Sequence, residues 1–494
     1  MSRIVFVFLL FLSLTGFSQT YFNELYDVNN SADAGSNVLE TDSNYIITGA
    51  IANTNGTQEF AIQIIDKAGN RKRNKSYSYG FTKAVRYGQT IVLSNGQIAD
   101  FRTLQEYDSG AQNYRTWPVL TLFNSGGDKL WSKQYKDPNI FWLAAQAVVE
   151  TPDSGFVLVT DKKISDSSNN PVLIRIDKDG KELYRKEIKT NRIDKLYSAA
   201  QYITGGYVFG GGGNSTGISV YNSLVIKTTD SLDVIWKYYG NFQIGAFSKA
   251  TVLRDSAIIN STDSIYSSGK WSFKRITKLD SNGQENWAKH YENGQENARF
   301  SKTVELLDGS LVVYGEHNNG RNASLRTLTK LTADGDTIWS NLYYYDSPND
   351  QNYLRDFIAT RDGGFLLGGD VSPRSSSQGQ DLWLLKVDSN GCSTPDCKSR
   401  VYDVRLGIDY RKQMTTEFRI FPNPVVDQFT VQQQGETSKQ EVWNYKIVST
   451  QGKELQSGNF TSKTELNISD VPSGVYLLKF EHGPVQKVYR VVKE

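Results

Sequence analysis

The chain of 494 residues has two cysteines, three histidines and a net charge of only +2. A zinc site needs more Cys or His than this chain places near one another. The balance of 55 basic against 53 acidic residues gives no global pull toward nucleic acid or an anionic membrane. Beyond the N-terminus no stretch is long and apolar enough to span a bilayer, so no transmembrane segment is expected in the mature chain. No helix follows Gly210 to Gly213, so that glycine run does not read as a phosphate loop. No nucleophile motif accompanies the histidines. What is plentiful is glycine, at 41, and aromatic residues, at 12%. Both suit a β-rich protein with many tight turns.

The N-terminus reads as an export signal. Arg3 precedes an apolar stretch from Ile4 to Leu14, then Gly16-Phe17-Ser18, with cleavage expected before Gln19. Residues 1–18 are therefore assigned to a signal peptide, with Sec-dependent export to the periplasm. No cysteine lies near the cleavage site, which argues against a lipid-modified N-terminus. In an exported chain, Cys392 and Cys397 are expected to close one small disulfide loop.

Seven times an apolar run ends in a tight turn, at Gly69, Gly127, Gly180, Leu232, Gly283, Gly335 and Gly391, with spacings of 58, 53, 52, 51, 52 and 56. One copy shows four strands. Val148-Val149 meets a turn at Pro152 to Gly155, and Phe156 to Val159 runs back. Val172 to Ile176 follows a polar loop, and Leu183 opens a fourth strand after the Asp177 to Gly180 turn. Four short strands per copy of roughly fifty residues are the signature of a β-propeller blade. A first-hairpin turn recurs at Ser43-Asn44, Gly88, Ser154-Gly155, Gly205-Gly206, Asp255-Ser256, Asp308-Gly309 and Asp362-Gly363-Gly364. The seventh copy lacks its W-x-x-x-Y strand, whereas Phe22 to Tyr26 matches Trp339 to Tyr343. The N-terminal strand is thus expected to complete the last blade and close a seven-bladed ring over residues 19–398.

From Phe418 the pattern changes to a small β-sandwich, after a linker at 399–417. It opens on Phe421-Pro422-Asn423-Pro424, turns at Gln451-Gly452-Lys453, continues through Pro472-Ser473-Gly474-Val475-Tyr476-Leu477-Leu478 and ends in a basic apolar strand. Residues 418–494 resemble the C-terminal sorting domain of the type IX secretion system of Bacteroidetes. The final Glu494 departs from the basic ending of many members. The resemblance implies an immunoglobulin-like sandwich, handling by the type IX machinery and removal of the tail. It also implies release or attachment at the outer surface.

For binding, the long and varied b–c and d–a loops are the favoured face, because variable loops on a rigid frame carry recognition. Ligand-binding residues are expected among Tyr107, Tyr114, Trp117, Tyr221, Tyr266, Trp271, His317 and Arg321. Ring faces can stack on sugars while amides bond hydroxyls; the alternative is that these rings pack the loops themselves. Aromatics recurring once per blade, such as Tyr197 and Tyr353, are expected to pack blade on blade. No catalytic residue, cofactor or metal is expected. The Asp-x-Asn/Asp-Gly turns lack the full ligand run of a calcium loop. The function expected is a secreted or surface binding module for a glycan or surface partner. A polysaccharide-degrading enzyme using paired carboxylates, among them Asp108, Asp194 and Asp356, and a structural spacer are the alternatives.

Overall fold

The computed structural model describes residues 20–27, 33–52, 58–79, 84–109, 113–165, 168–189, 194–213, 222–240, 248–265, 272–291, 297–318, 324–345, 351–372, 380–394, 417–434, 442–449, 453–482 and 485–494. The expected leader, Cys397 and the linker apart from Glu417 lie outside them; Cys392 is buried. Among the described residues there is no helix.

The first compact unit is a propeller of seven four-stranded antiparallel sheets. Six blades take their strands a to d in chain order. Blade 1 begins with Asp33–Glu40 and blade 2 with Ala84–Val92. Blade 3 begins with Leu143–Glu150, blade 4 with Asp194–Gln201, blade 5 with Ser248–Val252 and blade 6 with Asn297–Glu305. Blade 7 holds Gln351–Ala359, Phe365–Ser372 and Asp381–Val387, and its outer strand is the N-terminal Phe22–Tyr26. Phe22 pairs with Lys386 and Tyr26 with Leu382, so the ring closes as the repeat pattern required. The Trp383 indole N–H adds a 2.6 Å bond to the Asn23 side-chain oxygen.

Stability lies between blades. Each sheet exposes two faces that water cannot cover, and facing side chains of neighbouring blades fill the gap. Phe101, Leu120 and Leu122 of blade 2 pack with Leu143, Phe156 and Ile174 of blade 3. Tyr45 and Ile47 of blade 1 pack with Leu366, Leu382 and Leu384 of blade 7. Each such fully buried side chain contributes about 1.5–3 kcal/mol.

The W-x-x-x-Y strand has a mechanical role. Its tyrosine hydroxyl donates to the turn-glycine carbonyl of the next blade: Tyr26 to Gly69 at 2.7 Å, Tyr135 to Gly180 at 3.0 Å and Tyr343 to Gly391 at 2.8 Å. These glycines sit at positive φ, where a side chain is disfavoured, and at Gly391 an added Cβ would lie 2.8 Å from the Tyr343 hydroxyl. The aspartates opening such turns are occupied by the turn itself. Asp177 Oδ1 accepts from the backbone N–H of Asp179 and Lys181, and Asp280 Oδ1 from those of Asn282 and Gln284.

One turn differs from its sequence assignment. Gly88 lies inside strand a of blade 2, opposite Arg102, and the hairpin turns at Ser94-Asn95-Gly96, with Gly96 at φ +80°. A glycine within a strand carries the same sequence signal as a hairpin turn. The b and c strands of blade 2, Ile98–Asp108 and Asn113–Phe123, are eleven residues each.

The innermost strands carry a second ring. Three residues before the end of each strand a stand Asn37, Gln89, Ala147, Ser198, Lys249, Lys302 and Asp356. Several bond the next blade's innermost backbone: Asn37 Oδ1 accepts from Thr90 N–H at 3.1 Å, Gln89 Oε1 from Val148 N–H at 2.8 Å and Ser198 Oγ from Ala250 N–H at 2.9 Å.

The second unit contains a three-stranded and a four-stranded sheet around one core. Phe418 is its centre, with ring centroids 4.9 Å from Trp443 and 4.3 Å from Phe480. The proline-rich opening pins the final strand. Asn423 Nδ2 donates to Arg490 O at 2.8 Å, and Asn423 Oδ1 accepts from Val492 N–H at 2.9 Å. The hydroxyl of Tyr476, two residues after Gly474, donates to Pro472 O at 2.6 Å.

Candidate functional site

The b–c and d–a ends of the blades share one face, and two features stand on it. The first is the long hairpin of blade 2. Tyr107 and Tyr114 are cross-strand partners near its tip. Their rings meet edge to face at 5.2 Å, and Tyr107 is 54% exposed. Alternation along the strands puts Trp117 on the other side of the same hairpin. Trp117 was expected among the stacking rings, but it is only 5% exposed. Its indole N–H reaches Glu106 at 3.3 Å, and Lys136 lies over its ring and bonds Glu106 at 3.1 Å. The Lys136 hydrogen bond holds the Glu106 carboxyl below its ordinary range. An Arg115–Asp108 pair at 2.6 Å, with Arg115 over Phe141, braces the hairpin further. The hairpin is thus a stiff support presenting two tyrosine rings.

The second feature spans blades 6, 7 and 1. The Tyr353 ring has two guanidinium neighbours, Arg355 at 5.3 Å and Arg326 at 5.6 Å. Arg355 forks onto Asp370 at 2.6 and 3.2 Å. Asp370 is fully buried, and that burial raises its carboxyl above the usual range despite the arginine. Nearby, ring closure gathers Asp27, Asp33 and Asp381, whose oxygens lie within 4.8 Å of one another. Burial, then the neighbouring Asp27 charge, pushes Asp381 up. Three such carboxylates offer hard oxygen ligands for a cation, or carboxyl groups for acid–base chemistry. Sequence reading missed them: Asp27 and Asp381 are neighbours only because the N-terminal strand completes blade 7.

Of the other expected site residues, Tyr221, Tyr266, Trp271 and Arg321 lie outside the described residues. For His317 only the backbone is described, paired with Ala298 and Leu325. Asp108 is tied to Arg115, and Asp194 is fully buried with the Tyr239 hydroxyl 3.3 Å away. Asp356 belongs to the inner ring. These three therefore do not form an accessible pair.

Residues 419–494 match the family described as the secretion system C-terminal sorting domain, which marks the chain as carrying a type IX secretion sorting signal. No curated protein matches the chain. Among solved structures, extracellular domains 1–2 of Drosophila Semaphorin 1b are similar at 10% identity and a TM-score of 0.42, covering 75% of this chain and 87% of that one. The polysaccharide lyase Uly1 is similar at 10% identity and a TM-score of 0.47, covering 72% and 90%. A puromycin hydrolase is similar at 11% identity and a TM-score of 0.46, covering 84% and 62%. At these identities and scores no ligand or activity carries over.

Proposed function

We propose that this exported propeller is a binding module that takes a glycan or a cell-surface partner on its long-loop face. The observation that carries the reading is the Tyr107–Tyr114 pair. Exposed aromatic surface is costly to leave in water, and here a braced hairpin holds it at the tip. Two rings at a fixed angle suit the flat apolar faces of sugars, and Asn113 beside them supplies an amide for hydroxyls. The leader peptide directs Sec-dependent passage, the tail then directs outer-membrane export, and the Cys392–Cys397 loop is closed after export. The mature propeller is released or held at the surface.

A second reading, polysaccharide cleavage, is favoured by Asp27, Asp33 and Asp381 on the same face. One experiment separates the two. The purified mature chain is screened on a glycan array, and the bound polysaccharides are assayed for new reducing ends. Binding without turnover supports the module. Turnover abolished by Asp381→Asn establishes the enzyme, and silence in both assays leaves a structural spacer.

A further inference from the structure

We propose that the central channel holds an oxyanion at Lys249, with Lys302 beside it. The inference goes beyond the long-loop face and does not depend on it. Strand a of each blade is innermost, flanked by the neighbouring blades and backed by strand b. Any exposed surface there faces the channel, and Lys249 is half-buried.

The charges at this level do not balance. Lys302 Nζ is satisfied by Asp356 Oδ1 at 2.7 Å and Phe357 O at 2.8 Å. Asp356 also accepts at its other oxygen from Asn37 Nδ2 at 3.3 Å and Val38 N–H at 3.2 Å. The one carboxylate of the ring is therefore already engaged by three donors. Lys249 has no ion-pair partner among the described residues, so the ring keeps one positive charge in excess. Burial lowers the Lys249 pKa; the Asp356 charge opposes this, and Lys302 adds a smaller push downward. A partly desolvated ammonium whose nearby carboxylate is already bonded to Lys302 and two other donors is an unfavourable arrangement that a bound anion relieves. Three ammonium donors suit carboxylate, sulfate or phosphate oxygens. The anion can come free from solution or as the acidic group of a sugar.

The test is calorimetric titration of the mature chain with sulfate and with glucuronate, using glucose as the neutral control. Wild type is expected to bind an anion, K249R to retain binding, and K249M to lose it by about tenfold or more. Binding of sulfate alone assigns a free inorganic ion; binding of both extends the site to acidic sugars. If K249M fails to fold, mass-spectrometric amine labelling of wild-type Lys249 replaces it, with slower labelling expected in sulfate. No binding by wild type at about 10 mM, equal binding by K249M, or labelling unchanged by sulfate overturns the proposal.

Discussion

Ile188 and Leu232 are packed in one buried cluster at the boundary between blades 3 and 4, whereas the boundaries between blades 2 and 3 and between blades 6 and 7 join a tyrosine to a turn glycine. Ile188 occupies the register position of Tyr135 and Tyr343, and Leu232 that of Gly180 and Gly391. With the bulky phenol absent, the turn can hold a side chain, and Leu232 fills the space at φ 64° with 2% exposure. At this boundary the two departures from the repeat compensate each other.

Leu232→Gly should therefore destabilise the propeller by about 1–3 kcal/mol. Loss of a buried leucine with the cavity it leaves, about 2–5 kcal/mol, outweighs the relief of a left-handed conformation that costs roughly 1–2 kcal/mol. Ile188→Tyr alone should clash with Leu232. The double variant should recover at least about 0.5 kcal/mol relative to additivity. Denaturant unfolding of all four proteins measures this coupling, and strict additivity would refute it.

His290 should make stability depend on pH. Arg275 donates to its Nε2 at 2.7 Å, which requires an unprotonated acceptor. Burial, and then the Arg275 charge, lowers its pKa. The unfolded chain takes up this proton near pH 6.5 while the folded chain resists it. The contribution is present above about pH 6.5 and is lost as pH falls through the lower folded value. His290→Gln should flatten this part of the pH–stability curve, as followed by thermal unfolding.

Asn423 should matter to the tail beyond its place in a motif. Its side chain makes two bonds to the last strand, each worth about 0.5–1.5 kcal/mol. Asn423→Ala should loosen that strand, seen as faster amide exchange at Val492. In the natural host it should lower the fraction of the full chain reaching the outside, with more left in the periplasm. Unchanged exchange at Val492 would exclude this role.

Periodicity made the propeller readable, because each blade repeats the same turn chemistry and the surplus of Phe22 to Tyr26 at one end matches the deficit at the other. It failed locally at Gly88, where a glycine inside a strand mimics a turn and the longer hairpin shifts the count. Spacing also cannot say which side of a hairpin a ring occupies. Tyr107 and Trp117 looked alike in sequence, yet alternation exposes one and buries the other. The carboxylates Asp27, Asp33 and Asp381 were illegible for a different reason: the ring must close before they meet. Lys249 was readable in principle, since its position recurs in every blade. What marks it, the engagement of Asp356 by other donors, exists only in three dimensions.

The most direct test of the central claim is the affinity of Tyr107→Ala/Tyr114→Ala for the strongest glycan found on the array, measured by calorimetry. Tyr107 is exposed, so its removal should leave unfolding nearly unchanged. The account predicts a loss of about tenfold or more, since each aromatic contact is worth about 0.5–1.5 kcal/mol. Wild-type affinity in the double variant, with the fold intact, would contradict it.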